Sequence, residues 1–166
     1  MSDRLCIASN EKNQTLISDT DIMSCCGWFC GDGCDGGYAM SAWSHVIRKG
    51  ACTGGSYGQR NVCKPYPFRP CGHHTKHPIY EQCPKERQST PKCSSKCSPE
   101  YNKTYKEDLI HAKKAHYLET SETEIQKEIM ANGPVQATFK AYTDFLTYEK
   151  GIYKVNIIFC SLRNFP

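Results

Sequence analysis

Residues 25–37 read Cys25-Cys26-Gly27-Trp28-Phe29-Cys30-Gly31-Asp32-Gly33-Cys34-Asp35-Gly36-Gly37, four cysteines and five glycines in thirteen positions. Cysteines this close, in a run this rich in glycine, make a crosslinked turn. A glycine has no Cβ, so another chain can approach its N–H and C=O closely. Gly36 and Gly37 are therefore where an extended peptide can lie, held through backbone atoms without its sequence being read. A structural disulfide knot in a secreted binding module is the alternative reading. A second cluster lies between Cys63 and Cys97, where His73, His74 and His77 stand among Cys71, Cys83 and Cys93. Paired imidazoles gain charge as pH falls below about 6.5 and then suit a carboxylate. Free thiols beside them could instead make a zinc site, which cysteines committed to disulfides cannot, and exposed loop histidines are a third reading.

The elements that must position these groups are read from pattern. Residues 3–8 look like the end of a helix. Ser18-Asp19-Thr20-Asp21 supplies an N-cap and first-turn acids for a short helix ending near Cys25. Residues 38–49 form the best helix, with Ala39, Ala42, Trp43, Val46 and Ile47 on one face and Gly50 placed to end it. From 51 to 105 the periodicity disappears, and seven of the nine prolines and six of the twelve cysteines fall there. That is loop held by crosslinks, of a length that usually carries function. Ser121 to Glu124 reads as a capping box for a helix with Ile125 and Ile129 inward, stopped by Asn132-Gly133-Pro134. Val135, Ala137, Phe139 and Ala141 then alternate with polar residues, which predicts a strand. Trp43 and Phe139, at apolar periodic positions, are read as core.

Composition sets the compartment. Twelve cysteines in 166 residues belong to an oxidising environment, secretory, lysosomal or extracellular. The first residues carry no apolar run of signal-peptide length, so the beginning of the protein is expected to lie elsewhere. No run of about 20 apolar residues exists, which excludes a membrane span by a helix. The net charge of +4 hides a basic island: residues 60–106 hold 10 basic and 3 acidic side chains. Its lysines are scattered among cysteines and prolines without helical periodicity, which argues against nucleic acid and for a solvated loop or one that attracts a carboxylate.

The segment Cys63-Lys64-Pro65-Tyr66-Pro67-Phe68-Arg69-Pro70-Cys71-Gly72-His73-His74, with Cys83, Cys93 and Cys97, resembles the occluding loop of the cathepsin B-like branch of papain-type cysteine peptidases. Asp3-Arg4-Leu5-Cys6, residues 25–37, Asn132-Gly133-Pro134-Val135 and Tyr142-Thr143-Asp144-Phe145 extend the match in order over residues 2–154. The resemblance implies an α+β, papain-like two-lobe fold. Residues 1–106 would be the helical left lobe carrying the occluding-like loop (63–97), 107–154 the first part of a β-rich right lobe, and 155–166 a non-native tail. It also implies disulfides Cys26–Cys30, Cys25–Cys93, Cys63–Cys97 and Cys71–Cys83, leaving Cys6, Cys34, Cys52 and Cys160. Gly36, Gly37 and Tyr38 would line the non-primed cleft, and Ala39, Pro134 and Thr138 would neighbour the main specificity pocket. His73 and His74 would receive the C-terminal carboxylate of a bound peptide.

Papain-type catalysis needs a thiolate, a histidine base, an asparagine orienting it and a glutamine donating to the oxyanion. None stands at the matching place. In the family, two lie before the position matching Met1 and two beyond that matching Tyr153. Cys26 is no substitute if it pairs with Cys30, and His45, His111 and His116 read as one helix residue and two surface residues. The expectation is a partial peptidase domain without a catalytic residue, metal or cofactor of its own. Its partners would be peptide or protein substrates, and a propeptide or cystatin-type inhibitor. An unrelated disulfide-rich module and an inactive pseudo-enzyme that binds peptides are the rivals.

Overall fold

The computed structural model describes the chain except for residues 73–79, 87, 141, 143, 146, 147, 149 and 154–166. Helix α1 spans Ser2–Ala8, α2 Asp19–Cys25 and α3 Ala39–Arg48. Two 3-10 turns, Gly27–Phe29 and Gly33–Asp35, fill the cysteine- and glycine-rich segment between α2 and α3. Two short parallel strands follow, β1 (Gly54–Gly55) and β2 (Lys64–Pro65), then α4 (Glu122–Asn132).

Each helix boundary has a local cause. Ser18 caps α2 because its Oγ accepts the Asp21 N–H at 3.1 Å, satisfying a donor that has no partner within the helix. Helix α3 ends where the Gly50 N–H returns to the Val46 carbonyl at 3.2 Å. Val46 is the fully buried member of its apolar stripe, and Trp43 and Ile47 are half-buried. Helix α4 stops at Gly133, as the sequence indicates. Its beginning differs: Ser121 makes no side-chain capping bond, and Glu124 pairs with Lys127 at 2.8 Å instead of reaching back. Ile125 is half-buried but Ile129, one turn further along the same face, is 43% exposed.

The chain divides into two compact units, Met1–Val135 and Gln136–Pro166. In the first, the loop region is not wholly irregular. The strands β1 and β2 pair Gly54 with Lys64 and Gly55 with Pro65, and isolated bridges join Ile17 to Thr53 and Ala51 to Ile110. Buried apolar side chains among the described residues are few, namely Val46, Ala51, Cys52, Val62 and Cys63. In the second unit the strand expected over 135–141 is not formed among the described residues. Phe139 is 66% exposed, not core, because no strand forms around it among the described residues to bring its alternating face against a sheet partner. Its ring meets Phe145 edge-on at 5.1 Å, in a cluster that also holds Tyr148 and Tyr153.

Candidate functional site

The wall at residues 36–38 is built by backbone. Gly31 and Gly37 form an antiparallel bridge, the Asp32 N–H donates to the Gly36 carbonyl at 2.8 Å, and the Tyr38 N–H to the Cys30 carbonyl at 2.7 Å. The close approach explains the glycines: a Cβ on Gly37 would stand 2.4 Å from the Cys30 oxygen, and one on Gly31 2.4 Å from the Gly37 Cα. Gly36 takes a positive φ of 125°, which side chains disfavour, with open space where its Cβ would be. Gly36, Gly37 and Tyr38 are all exposed, Tyr38 by 71%. Tyr38 is also the N-cap residue of α3, so this helix and the crosslinked turn together set the position of the wall.

Four disulfides hold that turn and the following loop. Cys26 pairs with Cys30 inside the turn, Cys25 ties α2 to Cys93, Cys63 joins Cys97 and Cys71 joins Cys83. Arg69 and Glu81 approach to 3.6 Å across the base of the last of these, where Gly72 and Gln82 also bridge. His73 and His74 lie outside the described residues, as do His77 and Cys160. Cys6 and Cys34 are half-buried thiols, and Cys52 is a fully buried one.

Beneath the wall lies a polar core that sequence reasoning missed. Asp21, read from sequence as a first-turn acid, is completely buried, and its carboxylate receives the Lys64 ammonium at 2.5 Å, the Tyr105 hydroxyl at 3.1 Å and the Cys52 N–H at 3.1 Å. The Lys64 nitrogen also sits 4.5 Å above the centre of the Tyr105 ring. A second buried carboxylate, Asp108, accepts from the Thr53 N–H and hydroxyl, each at 2.7 Å, and from the Tyr101 hydroxyl at 2.5 Å. Burial, then the Asp21 carboxylate, push the Tyr105 hydroxyl well above its ordinary range. The same two causes push the Cys52 thiol up to about 12. Only Lys64, a lone cation between Cys63 and Pro65, offered a sequence signal of this network. A long-range partner for it cannot be found by periodicity.

Arg4 performs a similar task at the other end of this unit. Its Nε donates to the Pro134 carbonyl at 2.7 Å, Nη2 to the Gly133 carbonyl at 3.2 Å, and Nη1 to Glu128 at 2.9 Å. One planar fork thus fixes the end of α4 and the turn after it.

At His45, which lies beside cysteines, no thiol is offered as a nucleophile. A cavity of about 1040 Å³ brings His45 beside Cys25, Cys26 and Cys93, with Trp28, Phe29 and Tyr105 also lining it. All three of those sulfurs are in disulfides, so among the described residues lining this cavity His45 faces no thiol it could deprotonate. His45 is itself buried, which lowers its pKa, with Arg48 and Lys49 adding to the effect and Asp21 opposing it. Gly36, Gly37 and Tyr38 do not line this cavity. Cys52, Cys63 and Asp108 place two sulfurs and a carboxylate oxygen within 4.8 Å of one another, but the Cys63 sulfur is bonded to Cys97 and offers no thiolate to a metal.

Comparison with known proteins identifies the family. The family model for papain family cysteine protease matches residues 1–163. The chain is 47% identical over 154 residues to cathepsin B-like cysteine proteinase 1 of Haemonchus contortus, covering 93% of this chain and 45% of that protein. It is 44% identical to cathepsin B-like cysteine proteinase 6 of Caenorhabditis elegans, over 92% of this chain and 40% of that one. Among solved structures, proCathepsin B S9 from Trypanosoma congolense superposes with a TM-score of 0.69 at 30% identity, over 93% of this chain and 44% of that one. The chain thus spans less than half the length of these relatives. By sequence and by its papain-like fold, it belongs to the papain family of cysteine proteases, in the cathepsin B-like branch.

Proposed function

We propose that these residues form one wall of the substrate groove of a cathepsin B-like cysteine peptidase, and that this chain alone binds peptides without cleaving them. The exposed backbone of Gly36 and Gly37, clear of side chains and braced from behind by the Gly31–Gly37 bridge, carries the reading. A peptide laid along it exchanges main-chain hydrogen bonds, which gives affinity with little sequence preference. The whole protein would hydrolyse peptide bonds as an endopeptidase and remove C-terminal dipeptides. His73 and His74 would take the terminal carboxylate, helped by the basic character of residues 60–106. The same groove would accept a propeptide or a cystatin-type inhibitor. The four disulfides favour a lysosomal or extracellular setting, and no described helix is long and apolar enough to cross a membrane.

Inactivity of the chain alone is supported by its sulfur chemistry. Eight cysteines are oxidised, the fully buried Cys52 has its thiol pushed up to about 12, the opposite of an activated nucleophile, and of the half-buried free thiols Cys34 rests against the Met23 sulfur and Cys6 lies on α1, neither of them lining the cavity that holds His45. The test is fluorescence anisotropy at pH 5.5 with labelled peptides ending in a free carboxylate or an amide, alongside labelling with an epoxide probe for cysteine peptidases. Saturable binding that favours the carboxylate, lost in His73→Ala/His74→Ala, is expected, with no covalent labelling. Equal binding of both peptides would overturn the histidine role, and probe labelling with turnover would overturn the inactivity.

A further inference from the structure

The paired strands hold a buried thiol against a disulfide. The Lys64 N–H donates to the Thr53 carbonyl at 2.9 Å, and the Cys63 N–H to the Thr53 hydroxyl at 2.9 Å, so the residues next to Cys52 and Cys63 are locked together. On the other side, the Ser98 N–H donates to the Cys63 carbonyl at 2.8 Å, which keeps Cys97 in place. The Cys52 and Cys63 sulfurs consequently lie within 4.8 Å of one another, both in residues with almost no exposure, while Cys97 is half-buried.

We propose that Cys52 is the internal exchange partner of the Cys63–Cys97 disulfide. Its thiolate attacks the Cys63 sulfur, a Cys52–Cys63 bond forms as the Cys63–Cys97 bond breaks, and the electron pair leaves on Cys97, which takes up a proton from solvent in place of the one Cys52 lost. One thiol and one disulfide enter and leave the step, so no oxidant or reductant is required. The crosslink that closes residues 63–97 is thereby exchanged for one within the strand pair, and a reactive thiol appears at Cys97. The loop does not come free, because Cys25–Cys93 and Cys71–Cys83 still hold it.

The groups facing Cys52 keep this exchange slow at neutral and acid pH. Burial first, then Asp21 and Asp108, disfavour its thiolate, Lys64 partly offsets them, and the Tyr101 and Tyr105 hydroxyls interact with it electrostatically. Below about pH 12 the thiolate fraction, and with it the exchange rate, rises roughly tenfold per pH unit.

The full chain is incubated at pH 7 to 10 under argon with chelator, quenched in acid, alkylated with N-ethylmaleimide under denaturing conditions and mapped after digestion without reduction. At pH 7 Cys52 is expected to carry label together with the free Cys6 and Cys34, with Cys63–Cys97 intact. Towards pH 10 the Cys52 label should move to Cys97 as a Cys52–Cys63 crosslink appears, at constant total thiol and at a rate independent of protein concentration. Cys52→Ser should keep Cys63–Cys97 throughout. Persistence of the Cys63–Cys97 bond in the wild-type chain up to pH 10 would overturn the proposal. So would a Cys63 crosslink to Cys6, Cys34 or Cys160, or scrambling of all four disulfides together.

Discussion

Replacing Lys64 by methionine asks what the buried ion pair is worth. The Asp21 side chain is fully buried and that of Lys64 is 10% exposed, at 2.5 Å separation. At an effective dielectric of about 20, Coulomb attraction at that distance is about 6.6 kcal/mol before desolvation. Desolvation removes several kcal/mol per ion, so the net value of the pair is small, yet removing one partner leaves a carboxylate buried and uncompensated, typically at 3–5 kcal/mol. Here Tyr105 and the Cys52 N–H remain as donors to Asp21, which places Lys64→Met near the lower end, about 3 kcal/mol. Converting both residues, Asp21→Leu with Lys64→Met, removes the orphaned charge and should cost clearly less than the sum of the single changes. Guanidinium titrations with disulfides intact, followed by near-ultraviolet circular dichroism, give the three values. A loss under 1 kcal/mol for Lys64→Met, or additivity in the double variant, would refute the view that this pair organises the core.

Three further outcomes are expected. Gly37→Ala should lower stability by about 1–3 kcal/mol, because its Cβ meets the Cys30 backbone oxygen, and weaken peptide binding in the anisotropy assay; Gly36→Ala, with open space around it, should show conformational strain alone. Stability should fall at alkaline pH: the Cys52 thiol is raised in the folded chain from about 9 to about 12, so its contribution is complete below pH 9 and lost as pH rises to about 12. Cys52→Ala should remove this arm of melts taken promptly after each pH jump, before thiol–disulfide exchange consumes the thiol. At the acid end, burial lowers the His45 pKa below 6.5, so its contribution is present above pH 6.5 and is lost as pH falls below it. His45→Gln should flatten the melting temperature between pH 6.5 and 4.5, and an unchanged slope would contradict this role.

What was legible in the sequence had local causes. Ser18, Gly50 and Gly133 mark helix ends because capping and chain reversal are decided within a few residues, and the structure places α2, α3 and α4 between those marks. The glycine-rich turn at 31–37 was legible for the same reason, since close approach of backbone to backbone leaves few alternatives to glycine. Asp21 was misread because a first-turn acid and a buried ligand for Lys64 look identical over ten residues; the partner is 43 positions away. Phe139 and Ile129 failed differently. Their alternation or helical spacing was correct for a buried face, but periodicity says only which side chains share a face, not that another element covers it.

The rigidity of the proposed binding wall follows from how little of this unit is held by hydrophobic burial. With so few buried apolar side chains, the segment 25–38 depends on covalent ties and on main-chain bonds: Cys25 is fixed to Cys93, Cys26 to Cys30, and the Cys30 carbonyl receives the first N–H of α3 at Tyr38. Helix α3 is in turn anchored by buried Val46 and by Arg48, whose guanidinium lies 4.8 Å over the Phe29 ring on the same turn. The exposed backbone at Gly36 and Gly37 is therefore fixed at both ends before any peptide arrives. A glycine pair in an open loop would lose its conformational freedom on binding and weaken the complex accordingly. Crosslinking the turn moves that entropy loss into folding, so the proposed main-chain binding surface, though made of two glycines, would still hold an extended peptide.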